Sequence, residues 1–286
     1  MIRVFPLFAL LILFSTTASA FNKAIPMYIR DDVYIDYTEF VKNKDVLNIS
    51  DFSGKTVRRD VVDMIIAQQA LYLGGFEYTF NYIPGKVNFR NTRMLQKGQL
   101  LMSFDSYWKS DALSLSKDVH ISSPVVRLGE YFAGIYTHPS NKKVLNVSRL
   151  EDLKPLTAVS TPKWKTDWRT LQSLPLAEVV REDEWLSMAR MVNMQWIDFM
   201  LMPFHNSNDQ SFEMEKIHLV PVPDVAVILQ DSRHFVISRH HKFGDQAFEA
   251  IQKGLKILRQ RGTIKKAYTE AGFFIDQSKY TILNKG

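Results

Sequence analysis

The chain has 286 residues, 46% of them hydrophobic and 23% charged, with a formal net charge of +6 and no cysteine. This hydrophobic content supports a packed core rather than a disordered chain, and the missing cysteines exclude disulfides, thiol nucleophiles, CxxC redox pairs and thiolate metal sites. Lys and Arg are scattered, the dense runs being only Arg58-Arg59, Lys142-Lys143 and Lys265-Lys266, so a solvated basic surface is the simpler reading and nucleic acid is not an expected partner.

Residues 1–20 read as a cleavable secretory signal. Arg3 is the positive start, Val4 to Phe14 is the apolar stretch, and Ala18-Ser19-Ala20 supplies the small-x-small cleavage pattern. The apolar run is shorter than the ~20 residues that span a bilayer. A periplasmic location is therefore expected, with cleavage near Ala20.

The rest alternates short apolar runs with helix-period segments, the pattern of an α/β protein. Ala24 to Ile29 predicts a first strand, followed by a loop and a turn at Ser53-Gly54. Val61, Met64, Ile65 and Tyr72 recur at helical spacing, and Gly74-Gly75 stops that helix. Phe76 to Ile83 predicts a strand, Pro84-Gly85 a turn, Asn91 to Lys97 a short helix, and Leu100 to Phe104 a buried strand running into Asp105-Ser106-Tyr107-Trp108. Tyr131 to Tyr136 is a further strand.

Past His138 the pattern restarts. Ser148 is placed to cap a short helix over Leu150–Leu153, Thr157 to Ser160 is a strand, and Asp183 is placed to cap a helix carrying Trp185, Met188, Ala189 and Val192. Trp196 to Met202 reads as a strand covered on both faces. Pro221 and Pro223 make Val220–Leu229 an edge or crossing segment. His234 to Ser238 is a strand. Asp245 starts a helix with Phe248, Ile251, Leu255 and Leu258 on one face, closed by Gly262, and Thr263 opens another that ends at Gly272.

Motifs of known chemistry are mostly missing. Gly54-Lys55-Thr56 imitates the end of a P-loop, but Ile49 stands where its first glycine is needed. GxGxxG, GxSxG and HExxH do not occur. His234, His240 and His241 lie close in sequence, but adjacent strand residues face opposite ways, so a shared metal is not expected. Nothing specifies a catalytic set, a metal or a cofactor.

Read in order, several segments resemble the type 2 periplasmic solute-binding proteins, family 3 in particular. These are Ser53-Gly54 with Asp60-Val61-Val62-Asp63-Met64, then Leu95-Gln96-Lys97-Gly98, Ile121-Ser122-Ser123-Pro124-Val125, Leu150-Glu151-Asp152-Leu153, Trp196-Ile197-Asp198-Phe199-Met200, and Ala250 to Ile264. The likeness covers nearly all of 22–276. It implies an α/β protein of two lobes with a hinge between them: residues 21–134 plus 234–286 as lobe 1 and 135–233 as lobe 2. It implies capture of a small molecule in the interlobe cleft, for a membrane transporter or sensor, and no enzymatic activity.

The departures from that family matter as much. The stretch Asp105 to Lys117 holds Lys109 but not the arginine that receives a ligand carboxylate. The anion loop of lobe 2 reads Ser160-Thr161-Pro162, without glycine, and the ammonium-binding aspartate falls near Pro203-Phe204. A standard amino acid is thus not the expected ligand. The implied cleft positions are Arg30, Asp31, Asp105, Ser106, Tyr107, Trp108, Thr161, Trp164 and Phe204, with His205 beside the last. The aromatic ones either stack on a ligand or pack the core. Arg30 and Asp31 either face the cleft or form a surface ion pair worth at most ~1 kcal/mol. Two further classes stay open: a ligand-free protein-interaction module on the same fold, and an envelope enzyme.

Overall fold

The computed structural model describes residues 24–54, 56–85, 88–204 and 209–285. The segment read as a signal, Lys55 of the P-loop-like triplet and His205 lie outside them.

Strand β1 (Ile25–Arg30) buries every second residue and leads straight into helix α1 (Asp31–Val41). The sequence pattern predicts a loop here, and the structure has a helix instead. Its signal was present: Val33, Tyr37 and Phe40 are buried on one face, and Asp31 and Asp32 sit in the first turn, where the helix dipole favours them. Helix α2 (Arg59–Leu73) follows and ends at Gly74 as expected. It is buried from Asp60 to Leu71, almost all round, whereas Tyr72, expected on its apolar face, is exposed. Strand β2 (Phe80–Gly85) lies parallel to β1, Ile25 facing Phe80 and Arg30 facing Gly85. Pro84-Gly85 therefore closes the strand instead of forming a separate turn.

Helix α3 (Asn88–Gln96) precedes the buried run Leu100–Phe104. That run forms only an isolated bridge, Met102 to Ile237, rather than a full strand. Then come β3 (Tyr107–Trp108), α4 (Lys109–Leu113) and β4 (Val119–Val126).

A second set of elements forms around the fully buried strand β5 (Phe132–Thr137). After α5 (Lys142–Leu145) come β6 (Thr157–Ser160), α6 (Lys165–Ser173) and β7 (Glu178–Arg181), with β6 and β7 parallel. Helix α7 (Trp185–Asn193) leads to β8 (Met200–Met202), β9 (Phe212–Met214), β10 (Ile217–Pro221) and β11 (Val225–Ile228). β8, β10 and β11 all pair with β5. The proline-bearing segment is thus two strands on the central one, not an edge; its prolines sit at the end of β10 and in the turn after it, where no ladder donor is needed. Of the expected strand 196–202, the first part is not strand, and Trp196 is 67% exposed.

The chain then returns. Strand β12 (Arg233–Ser238) inserts between β3 and β4, antiparallel to both. Helices α8 (Gly244–Gln260) and α9 (Thr263–Glu270) cover the first unit. α2 and α8 touch backbone to backbone. A Cβ on Gly254 would lie 1.8 Å from the Ala70 carbonyl oxygen, and one on Gly74 would lie 2.1 Å from that of Ala250. Finally β13 (Thr281–Ile282) pairs in parallel with β11. The tail, expected wholly in the first unit, ends on the second sheet.

Residues 127–131 and 229–232 carry the chain between the two sheets, bonded to each other through the Leu229 amide and the Tyr131 carbonyl at 3.1 Å. One apolar cluster runs from the α2–α8 contact into the second sheet through Tyr131, Ala133 and Ile135, while Tyr136, Met188, Val192 and Leu219 form another on that sheet's opposite face.

Candidate functional site

The C-terminal end of β1, the residues just before β3, the start of β12 and the N-terminus of α2 converge on one region, which a network of arginines and aspartates fills. Arg30 pairs with Asp32 at 2.9 Å and Asp60 at 3.2 Å. Arg58 reaches Asp32 at 2.5 Å, Asp60 at 3.2 Å and Asp36 at 3.3 Å. Arg59 contacts Asp60 and Asp63 and lies 2.8 Å from Asp105. Arg233 donates from Nε to the Ser106 hydroxyl at 2.9 Å and from Nη2 to the Ser106 carbonyl, with Asp105 at 3.6 Å.

Two carboxylates anchor this network from below. Asp63 is fully buried; it accepts from the Ser106 amide at 3.0 Å and hydroxyl at 2.7 Å, and from the Tyr268 hydroxyl. Burial pushes its carboxyl upward against the pull of Arg59. Burial acts on Asp60 in the same direction, but Arg59, Arg58 and Arg30 together hold it below the usual range.

The opposite wall is the first turn of α6. Lys165 crosses to Asp111 at 2.6 Å, and Arg169 donates to the Ser110 hydroxyl at 3.1 Å. Asp231, on the crossing 229–232, joins both sides. Its carboxylate accepts from the Ser110 hydroxyl at 2.8 Å and the Thr166 hydroxyl at 3.3 Å, with Arg169 3.8 Å away. The aromatic rings nearby belong to the core, with Trp108, Tyr131 and Phe273 all buried in the main apolar cluster. Trp108 and Tyr131 have centroids 5.5 Å apart, Tyr131 stacks on Phe273 at 4.2 Å, and the Arg233 guanidinium lies over Trp108, 4.6 Å from its centroid.

Asp167 is the exception among these charges. It has partial solvent access and forms no ion pair or side-chain hydrogen bond among the described residues. Desolvation pushes its carboxyl up to about 6, countered by its own backbone N–H and, at longer range, by Arg233. Burial likewise raises the Tyr131 hydroxyl, with Asp167 adding to the effect.

Of the residues singled out from sequence, Arg30, Asp105, Ser106 and Trp108 come together here. Ser106 is buried and acts as an internal strut, while the Asp105 side chain is 45% exposed. Tyr107 is partly buried, its hydroxyl 3.4 Å from that of Thr92. Asp31 is exposed, and the ion pair expected between Arg30 and Asp31 is made with Asp32. Thr161 is buried and donates to Asp183 at 2.7 Å, which also receives Arg181 and Lys163 at 3.1 Å each. A carboxylate therefore stands where the anion loop was sought. Trp164 precedes α6 and packs on the second apolar cluster. Phe204 is buried with Phe132, Ala226 and Tyr280 in a satellite cluster, apart from the ring set of Trp108 and Tyr131. Asp198, read as structural, holds the Thr157 amide at 2.8 Å.

Sequence reasoning missed Arg58, Arg59, Arg233, Tyr131 and Asp167. A signal existed for three of them. Two arginines at a helix N-terminus oppose the helix dipole unless carboxylates surround them. An arginine opening an apolar strand must likewise be paired inside. Asp167 carried no such mark, because an aspartate in a first helical turn is ordinary.

No family profile and no curated protein matches the chain. Its fold does match solved structures. A mutant of ArgBP from T. maritima superposes with a TM-score of 0.51 at 13% identity, covering 86% of this chain and 94% of that one. An ancestral cationic amino acid solute-binding protein gives 0.53 at 17%, covering 88% and 96%. The periplasmic VFT2 domain of Bordetella pertussis BvgS gives 0.54 at 14%, covering 88% and 93%. The protein thus shares the two-lobed α/β fold of these structures.

Proposed function

We propose that this is an exported binding protein without enzymatic activity, which takes a small molecule into the cleft between its lobes and presents the closed form to a membrane transporter or sensor. The lobes are residues 21–134 with 234 onward, apart from β13, and 135–233. Export rests on the signal-like residues 1–20; among the described residues, no helix is long and apolar enough to cross a membrane.

The observation that carries this reading is the way α6 meets the β3–α4 segment. The contact is a row of polar bonds in which the Asp231 carboxylate accepts from the Ser110 and Thr166 hydroxyls. Polar seams of this kind part and re-form at low cost, as hinge closure requires. A standard amino acid is a poor fit, because Arg30, Arg58, Arg59 and Arg233 are already engaged by aspartates or Ser106. Thermal-shift screening of the purified protein against amino acids, peptides, sugars, amines and aromatic acids tests the proposal. A true ligand at a hundredfold excess over Kd adds about 2.7 kcal/mol of stability; absence of a shift with every class overturns it.

One observation favours a second reading. Arg233 seats its own guanidinium on Trp108, as a bound cation would. A module that stays closed on its own side chain, and recognises a protein instead, gives no shift with any small molecule.

A further inference from the structure

Away from the arginine–aspartate network, the end of β4 and helix α8 border a groove of about 470 Å³. None of its lining residues belongs to that network, and none is acidic. β4 is an edge strand, paired only with β12, and α8 covers its open edge with two side chains set two helical turns apart. Gln252 accepts from the Ser123 amide at 2.5 Å and hydroxyl at 2.6 Å. Arg259 donates from Nη2 to the Pro124 and Val125 carbonyls at 3.0 and 2.8 Å, and from Nη1 to Glu130 at 3.1 Å. Glu130 also accepts from the Arg127 amide at 2.7 Å. These bonds fix both side chains and leave donors over. The Gln252 oxygen is committed to Ser123, so its amide nitrogen remains to donate, and Arg259 keeps Nε. Arg127 and Lys256 line the same groove; both are exposed, and neither side chain forms an ion pair among the described residues.

We propose that this groove is a second binding site, for a small organic anion of two or more negative charges, a polycarboxylate or a phosphate ester. Arg127, Lys256 and Arg259 outweigh Glu130 by two charges. Guanidinium groups match carboxylate and phosphate oxygens in geometry as well as charge. Arg259 is already ordered by its carbonyl and Glu130 bonds, so an anion does not have to immobilise it. Burial lowers the Arg259 guanidinium, Glu130 opposes that, and Arg127 adds to it, so an anion between the two arginines relieves their repulsion. The volume falls within the ~300–1,000 Å³ of small-molecule sites and exceeds what a bare inorganic ion fills. Pro124 and Leu255 supply an apolar wall for the carbon frame of the ligand.

The groove stands independently of the interlobe cleft, and titration calorimetry on the purified full chain tests it. The solution is held near pH 7.5 and about 0.15 M salt, where charges more than ~8 Å away are largely screened. The probes are citrate and glycerol 3-phosphate, with sulfate as the bare ion and glycerol as the uncharged frame. At least one organic anion should bind about tenfold or more tightly than sulfate, and glycerol should not bind. Arg127→Gln and Lys256→Gln should each weaken that binding by about tenfold. Gln252→Glu keeps an acceptor for Ser123 and sets a negative charge in the groove, so binding should be lost while the protein melts as before. Lys265→Gln removes an exposed cation of α9 that does not line the groove, and should change the affinity by no more than about twofold. Absence of binding by both organic anions overturns the proposal. Sulfate binding as tightly as they do marks an adventitious ion only, and overturns it too. Undiminished binding by Arg127→Gln and Lys256→Gln puts the anion elsewhere, and an equal loss in Lys265→Gln marks diffuse surface charge; either result overturns the assignment.

Discussion

Asp167 shows how one side chain makes stability depend on pH. Its carboxyl is raised to about 6, first by desolvation and against the pull of Arg233, with Tyr131 as the other titratable group it acts on. A carboxyl free in the unfolded chain titrates near 3.9. Between those values the folded state binds the proton more tightly, so stability falls as pH rises through the window and the penalty is complete above about 6. It is at most on the order of 3 kcal/mol at neutral pH, solvent screening at this partly exposed site reducing it. Asp167→Asn should therefore melt above the wild type at pH 7.5, with the gap narrowing toward pH 4.5. A constant gap across that range, or no gap, contradicts the assignment. The sequence offered Asp31, Thr161 and Phe204 as cleft residues on loop position alone. The structure turns Asp31 to solvent, ties Thr161 to Asp183 and buries Phe204 against Tyr280. Position along the chain says which loop a residue occupies, not which neighbour its side chain meets.

Elements were more legible than residues, because their signals are local. The spacing in α8 and α9 and the stops at Gly74 and Gly262 appear as read. Caps were less so. Ser148 was expected to accept from the helix after it; instead its amide and hydroxyl donate to Asp152 at 3.1 and 3.2 Å. Asp183 was expected to cap α7, yet its carboxylate goes to Thr161 and Arg181, and Glu184 holds the cap position without a side-chain bond. Asp152 gathers the Ser148 and Arg149 donors together, while Asp183 is drawn to Arg181 and Lys163 instead of the helix. The α2–α8 contact makes a sharper prediction. Gly254 admits no side chain, since a Cβ there meets the Ala70 carbonyl oxygen at 1.8 Å. Backbone cannot rotate away as a side chain can, so Gly254→Ala must separate the helices. A loss of about 1–3 kcal/mol in urea unfolding is expected, and a change below 0.5 kcal/mol would show that the helices can slide apart freely.

At the scale of the whole molecule, Asp231 ties the crossing segment to both walls of the cleft through Ser110 and Thr166. Removing its carboxylate leaves Arg169 and Lys165 as the remaining ties across the seam. Asp231→Ala should shift the unliganded protein toward a more open form, read as a larger radius of gyration in small-angle X-ray scattering. An unchanged radius would mean that the aromatic contacts around Tyr131 hold the lobes by themselves.

By itself the chain determined the α/β class, the order of most elements and the likeness to two-lobed binding proteins, because periodicity, turn residues and short ordered motifs are written locally. It also shows that the stretch Asp105 to Lys117 holds no arginine. Only the tertiary structure decided that Arg30, Arg58, Arg59 and Arg233 meet in one network, and that β12 returns between β3 and β4. Those facts depend on contacts between residues far apart in sequence. Charge pairing is settled by distance in space, which no local pattern encodes.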